Sequence, residues 1–164
     1  METDLDRIKE ITEEKKRENR EFRVFLKRCD LSPEEIDSTV HRLYKEVSEK
    51  IDCGTCRNCC KELRPVLSAD DIERFSNGLG LSAEEFKETY LIEYQEGEGY
   101  MFDERPCPFL KDEGCEYPDL KPEDCVSFPH LEKEGFVYRT MEVVKYCSVC
   151  PIVFNVYEEL KDEI

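Results

Sequence analysis

Four cysteines stand within eight residues of this chain, and their spacing constrains the possible folds more than any other feature of the sequence. They are Cys53, Cys56, Cys59 and Cys60. Two residues between cysteines let a tight turn bring both sulfurs to one metal, with backbone amides directed back at the thiolates. Neighbouring side chains tend to diverge, so Cys59 and Cys60 are expected to serve different metals or different sides of one cluster. The segment therefore predicts a metal centre with interleaved ligands.

Five more cysteines form two later groups, and a tenth, Cys29, stands alone. Nine grouped thiols suit two four-ligand sites with one to spare, or one site with additional structural thiols, and the sequence leaves this choice open. Cys29 lies beside two phenylalanines and is predicted to be a small, buried, non-ligating side chain. The residues that we predict to bind the cofactor or metal are Cys53, Cys56, Cys59, Cys60, Cys107, Cys115, Cys125, Cys147 and Cys150.

Composition narrows the class of protein. The chain has 164 residues, 39% hydrophobic and 39% charged, which leaves room for one modest core that metal cross-links would reinforce. The net charge of −16 argues against nucleic-acid binding, because phosphates would be repelled. It is compatible with a protein partner that docks on the acidic surface or on the N-terminal helices.

The N-terminal segment and the lack of long apolar stretches predict the cellular compartment of the protein. Met1 to Glu10 contains no apolar run typical of a secretory signal, and no stretch is long and apolar enough for a membrane span. We therefore expect a cytoplasmic protein that does not enter a membrane. Disulfides are rare in that reducing compartment, so ten cysteines favour metal binding over a disulfide-stapled secreted fold.

Periodicity predicts a mostly α-helical fold with small β-hairpin elements, built as a metal-centred, cysteine-rich single domain with an N-terminal helical extension. Residues 1–50 are expected to form helices that pack on the core, and residues 51–164 the cysteine-cluster domain. Leu5 to about Arg28 reads as one helix, whose charged middle we expect to be a solvated connector or a partner contact. A second helix begins at Ser32, with a capping box to Glu35 and an apolar stripe that ends at Ile51.

Shorter elements follow the first cysteine group. Ser68 and Ser82 are predicted to cap two short helices, and a tight turn is expected at residues 111–114. The apolar residues at 136–138 and 143–144 are interpreted as a strand pair. The chain is predicted to end in a helix that begins near Pro151.

The cysteine-containing segments resemble a known family. Cys53 to Cys60 reads CGTCRNCC and resembles the signature of the CxxCxxCC, or YkgJ-like, cysteine-cluster family. Cys107 to Leu110 resembles its CPFL block, and Cys115 to Pro129 resembles its C-x-x-Y…RP…CR-x-FP block, with Lys121 and Val126 at common arginine positions. The resemblance implies a zinc- or iron-chelating domain that has a further downstream cysteine, Cys147 or Cys150. The thiols that it implies are shared are Cys53, Cys56, Cys59, Cys60, Cys107, Cys115 and Cys125.

The cofactor is predicted to be an iron–sulfur cluster, preferably [4Fe–4S], or Zn²⁺. Thiolate ligands suit both, but the triple spacing from Cys53 to Cys59 and the Cys-Pro pairs are similar to bacterial ferredoxin runs. Of the two histidines, His41 is expected to be exposed and His130 to be structural.

Three functions follow. The first is electron transfer or metal handling, and the second is a structural, zinc-binding interaction module without activity. The third comes from the resemblance alone, since one branch of the family is similar to flagellin lysine methylases. An enzyme is the less favoured interpretation, because the chain has no glycine-rich loop between a strand and a helix and no persuasive catalytic pair.

Overall fold

The structure, a computed structural model that describes all 164 residues, is mostly helical with two small antiparallel sheets, as predicted. The helices are α1 (Leu5–Glu14), α2 (Lys16–Leu26), α3 (Pro33–Ser48), α4 (Cys53–Cys56), α5 (Asn58–Glu62), α6 (Ala69–Leu79), α7 (Ala83–Tyr90), α8 (Glu123–Ser127), α9 (Phe136–Tyr146) and α10 (Pro151–Glu163). The strands are β1 (Val66–Leu67), β2 (Leu91–Glu93), β3 (Tyr100–Phe102), β4 (Leu110–Lys111) and β5 (Gly114–Cys115). No helix combines the length and the apolar character that a membrane crossing requires.

The chain divides into two units. Residues 1–56 and 129–164 form the first, which we call the helical unit, and residues 57–128 form the second, which we call the sheet unit. The N-terminal helices thus belong to the same unit as the last two helices of the chain. The boundary that the sequence placed at residue 50 stays a prediction.

The helical unit is built around α3 and α10, which pack on each other and on α9. The predicted cap of α3 is confirmed: Ser32 Oγ accepts the Glu35 amide at 3.2 Å, and the Glu35 carboxylate accepts the Ser32 amide at 2.8 Å. The predicted apolar stripe is also confirmed, since each of its residues is buried. They are Ile36, Val40, Leu43, Val47 and Ile51.

The N-terminal helix differs from the single helix that the sequence predicts. It breaks at Lys15 into α1 and α2, and its charged middle contacts α10 instead of solvent alone. The Tyr157 hydroxyl donates to the Asn19 carbonyl at 3.1 Å, and Lys161 pairs with Glu18 at 2.6 Å. Charged residues can therefore cover a packed helix when their partners lie on the neighbouring helix.

The strand pair that we predicted at 136–138 and 143–144 is wrong, because these residues lie in α9. Its buried residues follow a helical spacing, and the two apolar groups lie two turns apart. The Asp37 carboxylate of α3 accepts the amides of Gly135 and Phe136 at 2.7 and 2.8 Å and so caps the start of this helix.

The sheet unit contains a three-stranded sheet of order β1-β3-β2 and the β4–β5 hairpin. Helices α6 and α7 begin at Ser68 and Ser82 with capping boxes, as predicted. Phe75 lies at the centre of an aromatic cluster, with ring centroids 5.1 Å from Phe86 and 4.8 Å from Phe109. The buried core of this unit comprises Leu67, Ile72, Phe75, Phe86, Leu91, Phe102 and Phe109.

Candidate metal centre

The sheet unit gathers four of the predicted ligands, and we call them the four-thiol group. They are Cys60, Cys107, Cys115 and Cys125. Cys125 as a residue is exposed, but protein atoms surround its thiol closely enough that desolvation raises its pKa to about 12, and negative charge on the other three thiols and on Asp124 adds to the rise. Desolvation also raises the pKa of Cys107, and Cys60 and Cys115 again contribute by charge repulsion. A thiol whose charge shifts the pKa of another lies within short electrostatic range of it, so four separate segments of the sequence meet here.

Hydrogen bonds between loops position three members of this group. The Cys107 amide donates to the Cys60 carbonyl at 2.8 Å, which joins the CPFL segment to α5. The Arg57 guanidinium donates to the Asp112 carbonyl at 2.5 Å and so holds the β4–β5 hairpin. Cys115 stands on that hairpin, paired with Leu110 across the ladder.

Asp71 positions the fourth member. Its carboxylate, on α6 and only 3% exposed, accepts the Glu123 amide at 3.1 Å and so holds the start of α8, which carries Cys125. It also accepts the Ser68 amide at 3.0 Å and an Arg74 guanidinium hydrogen at 2.9 Å. Burial alone would raise the pKa of Asp71, but these bonds outweigh it and hold the pKa below its ordinary value.

Backbone amides point at two of the predicted ligands. The thiolates of Cys107 and Cys150, each followed by proline, accept hydrogen bonds from the amides of the second and third residues after them, and these bonds lower their pKa against the larger effect of burial. Proline has no amide hydrogen, so the chain turns and directs the next two amides at sulfur. Amide-to-sulfur bonds of this kind stabilise metal-bound thiolates.

The helical unit gathers three further predicted ligands, Cys53, Cys56 and Cys150. Desolvation raises the pKa of Cys150 to about 12, and charges on Cys53 and Cys56 add to it. Tyr44 lies in the same environment, because burial first and then charges on Glu132, Cys53 and Cys150 raise its pKa. An open cavity of about 440 Å³ adjoins this group and is lined by Tyr44, Ser48, Glu49, Lys50, Ile51, Asp52, Cys53 and Ile152.

Cys147 interacts with Cys150, whose charge contributes to its raised pKa, but it shows no such interaction with Cys53 or Cys56. It is 1% exposed at the end of α9, and its thiol donates to the Val143 carbonyl at 3.5 Å. Desolvation strongly raises its pKa, opposed by the positive charge of Lys161. Of the two thiols that could fill the downstream position, the structure therefore places Cys150 beside Cys53 and Cys56, and Cys147 in the helical core.

Cys59 and Cys60 contact each other directly. A hydrogen bond from Cys59 is the largest cause that lowers the pKa of Cys60 to about 6, and positive charge on Lys121 and Arg57 adds to it against desolvation. Their assignment to different metals stays a prediction. None of the ten cysteines is in a disulfide bond.

This pKa difference predicts selective alkylation of the metal-free, reduced protein. At pH 7 a thiol of pKa about 6 is roughly nine-tenths thiolate, whereas one of pKa about 12 is almost wholly protonated. We expect iodoacetamide to modify Cys60 at least tenfold faster than Cys125, as measured by peptide mass spectrometry under conditions where circular dichroism shows a retained fold. Equal rates, or no loss of Cys60 reactivity below about pH 6, would contradict the predicted pKa order.

The thiols are suitable metal ligands, but their spacing differs from that around a single bound ion. In neither unit do three or more Cys, His, Asp or Glu side chains meet closely enough to hold a single ion as they stand. A tetrahedral zinc ion holds its sulfurs roughly 4 Å apart, given Zn–S bonds of about 2.3 Å. The thiols of each group are thus close enough to interact but spaced more widely than one ion requires.

His41 is half-buried, not exposed as predicted.

The thiol groups and their amide donors define the chain as a cysteine-cluster metal-binding protein, and one comparison with known proteins agrees. The CxxCxxCC family, described as "Putative zinc- or iron-chelating domain", matches residues 52–151. Because the match covers more than half of the chain, the protein belongs to this family. No curated protein and no solved structure is detectably similar to it.

Proposed function

We propose that the protein holds a metal centre in its sheet unit, bound by the thiolates of Cys60, Cys107, Cys115 and Cys125. The observation that carries this proposal is the set of hydrogen bonds that hold the four cysteine segments together, from Cys107 to Cys60, from Arg57 to the β4–β5 hairpin and from Asp71 to α8. Charge on the neighbouring thiols, which adds to the raised pKa of Cys107 and of Cys125, supports the same grouping. Four thiolates are a complete ligand set for either iron–sulfur or zinc. The Cys53, Cys56 and Cys150 group offers three more thiolates for a second centre, whose remaining position takes a ligand from outside that group.

We infer that the preferred occupant is a [4Fe–4S] cluster. Two features support this choice: amide-to-sulfur hydrogen bonds at Cys107, and thiols that interact without the tight convergence of a single-ion site. A cluster places several metal–sulfide bonds between its cysteine ligands, so it suits a wider thiol spacing. When bound, such a cluster supplies one-electron transfer, and the protein then serves as an electron carrier or in metal handling.

A structural zinc centre is the second candidate. It is favoured by the closed character of the four-thiol group, because four protein thiolates leave no open coordination position for chemistry. Much of the segment that carries these cysteines has little regular structure, with two-residue strands and a five-residue α8. Metal binding would order this segment, and its free energy would contribute to the free energy of folding.

Metal and sulfide analysis distinguishes the two candidates. Protein purified without oxygen is expected to be brown, with about four iron and four acid-labile sulfide per cluster, and to show a reversible potential by voltammetry. Colourless protein with stoichiometric zinc and no sulfide would replace the iron proposal by the zinc one. A folded protein without tightly bound metal after anaerobic purification or reconstitution would refute both.

A further inference from the structure

Helix α2 presents an apolar groove at the surface of the helical unit. The groove has a volume of about 510 Å³ and is lined by Arg20, Glu21, Val24, Phe25 and Arg28. Val24 is 42% exposed and Phe25 44% exposed, although the same helix buries Leu26 on its other side. Helix α2 therefore has an apolar inner face that packs and a second, uncovered apolar strip.

The neighbouring helix also exposes large apolar side chains. Helix α9, which packs against α2, exposes Tyr138 by 74% and Met141 by 61%. Single exposed apolar residues are ordinary, but Val24 and Phe25 are adjacent and line one groove, which indicates a surface used for binding.

The charge around the groove is opposite in sign to that of the protein. Between Lys16 and Arg28 stand six cations and two anions, whereas the whole chain carries a net charge of −16. Arg17 pairs with Glu21 at 2.7 Å, so the one acidic residue of the groove is already neutralised. Arg20 and Arg28 make no ion pair in the structure and remain available to a ligand.

We propose that this groove, which we call the α2 groove, binds an acidic amphipathic helix of a partner protein. Apolar side chains of the partner would cover Val24 and Phe25, while its carboxylates would pair with Arg20 and Arg28 at the rim. A membrane or a nucleic acid is an extended anionic ligand, so its binding to these cations would be opposed by the large negative charge of the rest of the chain. A discrete acidic segment can contact the groove locally and avoid most of that repulsion, which is screened beyond about 10 Å.

The test uses the full-length protein and three synthetic probes in fluorescence anisotropy. The first probe is a stapled helix of about five turns with leucines on one face and glutamates elsewhere. The second has lysine for each glutamate, and the third has glutamine for each leucine. We expect only the first to bind, more weakly at high salt. Val24→Ser should weaken its binding about tenfold, as an anchor truncation does.

A charge-reversal variant gives the more specific test. Arg20→Glu with Arg28→Glu should weaken the glutamate probe at least tenfold and allow the lysine probe to bind, because the repulsive partner has been exchanged. Val126→Ser, which changes another exposed valine, in the sheet unit and away from α2, is the matched control and should not alter binding. Thermal melts of each variant confirm that the fold is kept.

Any of four results would overturn the proposal. They are equal binding of the three probes, no binding of the glutamate probe at all, unaltered affinity after charge reversal, and a different occupant of the groove. That occupant would be revealed as a dimer that Val24→Ser dissociates in sedimentation equilibrium, or as binding to phosphatidylserine vesicles that charge reversal abolishes.

Discussion

Cys125→Ser is expected to empty the metal centre that we propose for the sheet unit. A serine hydroxyl is a poor ligand for the soft metals that thiolates bind, so one of four strong bonds is lost. Structural zinc sites are bound with roughly 10–16 kcal/mol, and a quarter of that range corresponds to a loss of affinity on the order of a hundredfold or more. Metal per chain after gel filtration, and metal release to a competing chelator, measure the effect. Metal held by the Cys53 group should remain.

The matched control is Cys29→Ser. Cys29 is half-buried, not buried as predicted, and donates to the Leu26 carbonyl at 3.5 Å, a contact that a serine hydroxyl can replace. It makes the same sulfur-to-oxygen exchange outside both thiol groups, so metal content should not change. A Cys125→Ser protein that keeps its full metal complement and chelator resistance would show that Cys125 is not a ligand.

Local rules in the sequence correctly predict the starts of several helices. Ser32, Ser68 and Ser82 each cap a helix through an acidic residue three positions later, and these bonds depend on residues within a single turn. The stripe from Ile36 to Ile51 is equally local, because one amphipathic face needs only a regular spacing. Helix caps and apolar stripes can therefore be predicted from the sequence without knowledge of the rest of the fold.

Predictions failed where distant residues decide the structure. Val137 and Val143 have high strand propensity, yet the segment is helical because Asp37, about a hundred residues earlier, caps it and α3 and α10 bury one face. Likewise, the charged middle of α2 contacts α10 through Glu18 and Lys161. Propensity and hydrophobicity along the chain do not report such tertiary partners.

The candidate centre shows the same limit. The sequence predicts as ligands all four cysteines that the structure gathers in the four-thiol group, because short cysteine spacings are typical of metal sites. It could not separate Cys147 from Cys150, which have the same spacing as a ligand pair. The structure separates them because Cys147 ends α9 and points into the helical core, whereas Cys150 precedes α10 and accepts its first amides. Helix geometry, not spacing, decides which thiol is available.

Asp71→Ala is expected to destabilise the sheet unit by about 3 kcal/mol and to loosen its metal centre. The substitution removes the acceptor of the Ser68 and Glu123 amides and the partner of Arg74, and each buried donor left unpaired costs about 1–3 kcal/mol. Helix α8 then loses an anchor, so Cys125 is held less firmly. Chemical denaturation measures the stability, and chelator competition measures the rate of metal release.

Asp70→Ala is the matched control, because it removes the same charge from the neighbouring, exposed position of the same helix turn. The pH dependence gives an independent check. The folded state lowers the pKa of Asp71, so its stabilising effect is complete well above the unfolded value of about 4 and is lost as the pH falls through the folded value. The stability difference between the parent protein and Asp71→Ala should therefore shrink in acid, whereas the difference for Asp70→Ala stays small throughout. If Asp71→Ala releases metal no faster than Asp70→Ala, then the bond to Glu123 does not position Cys125.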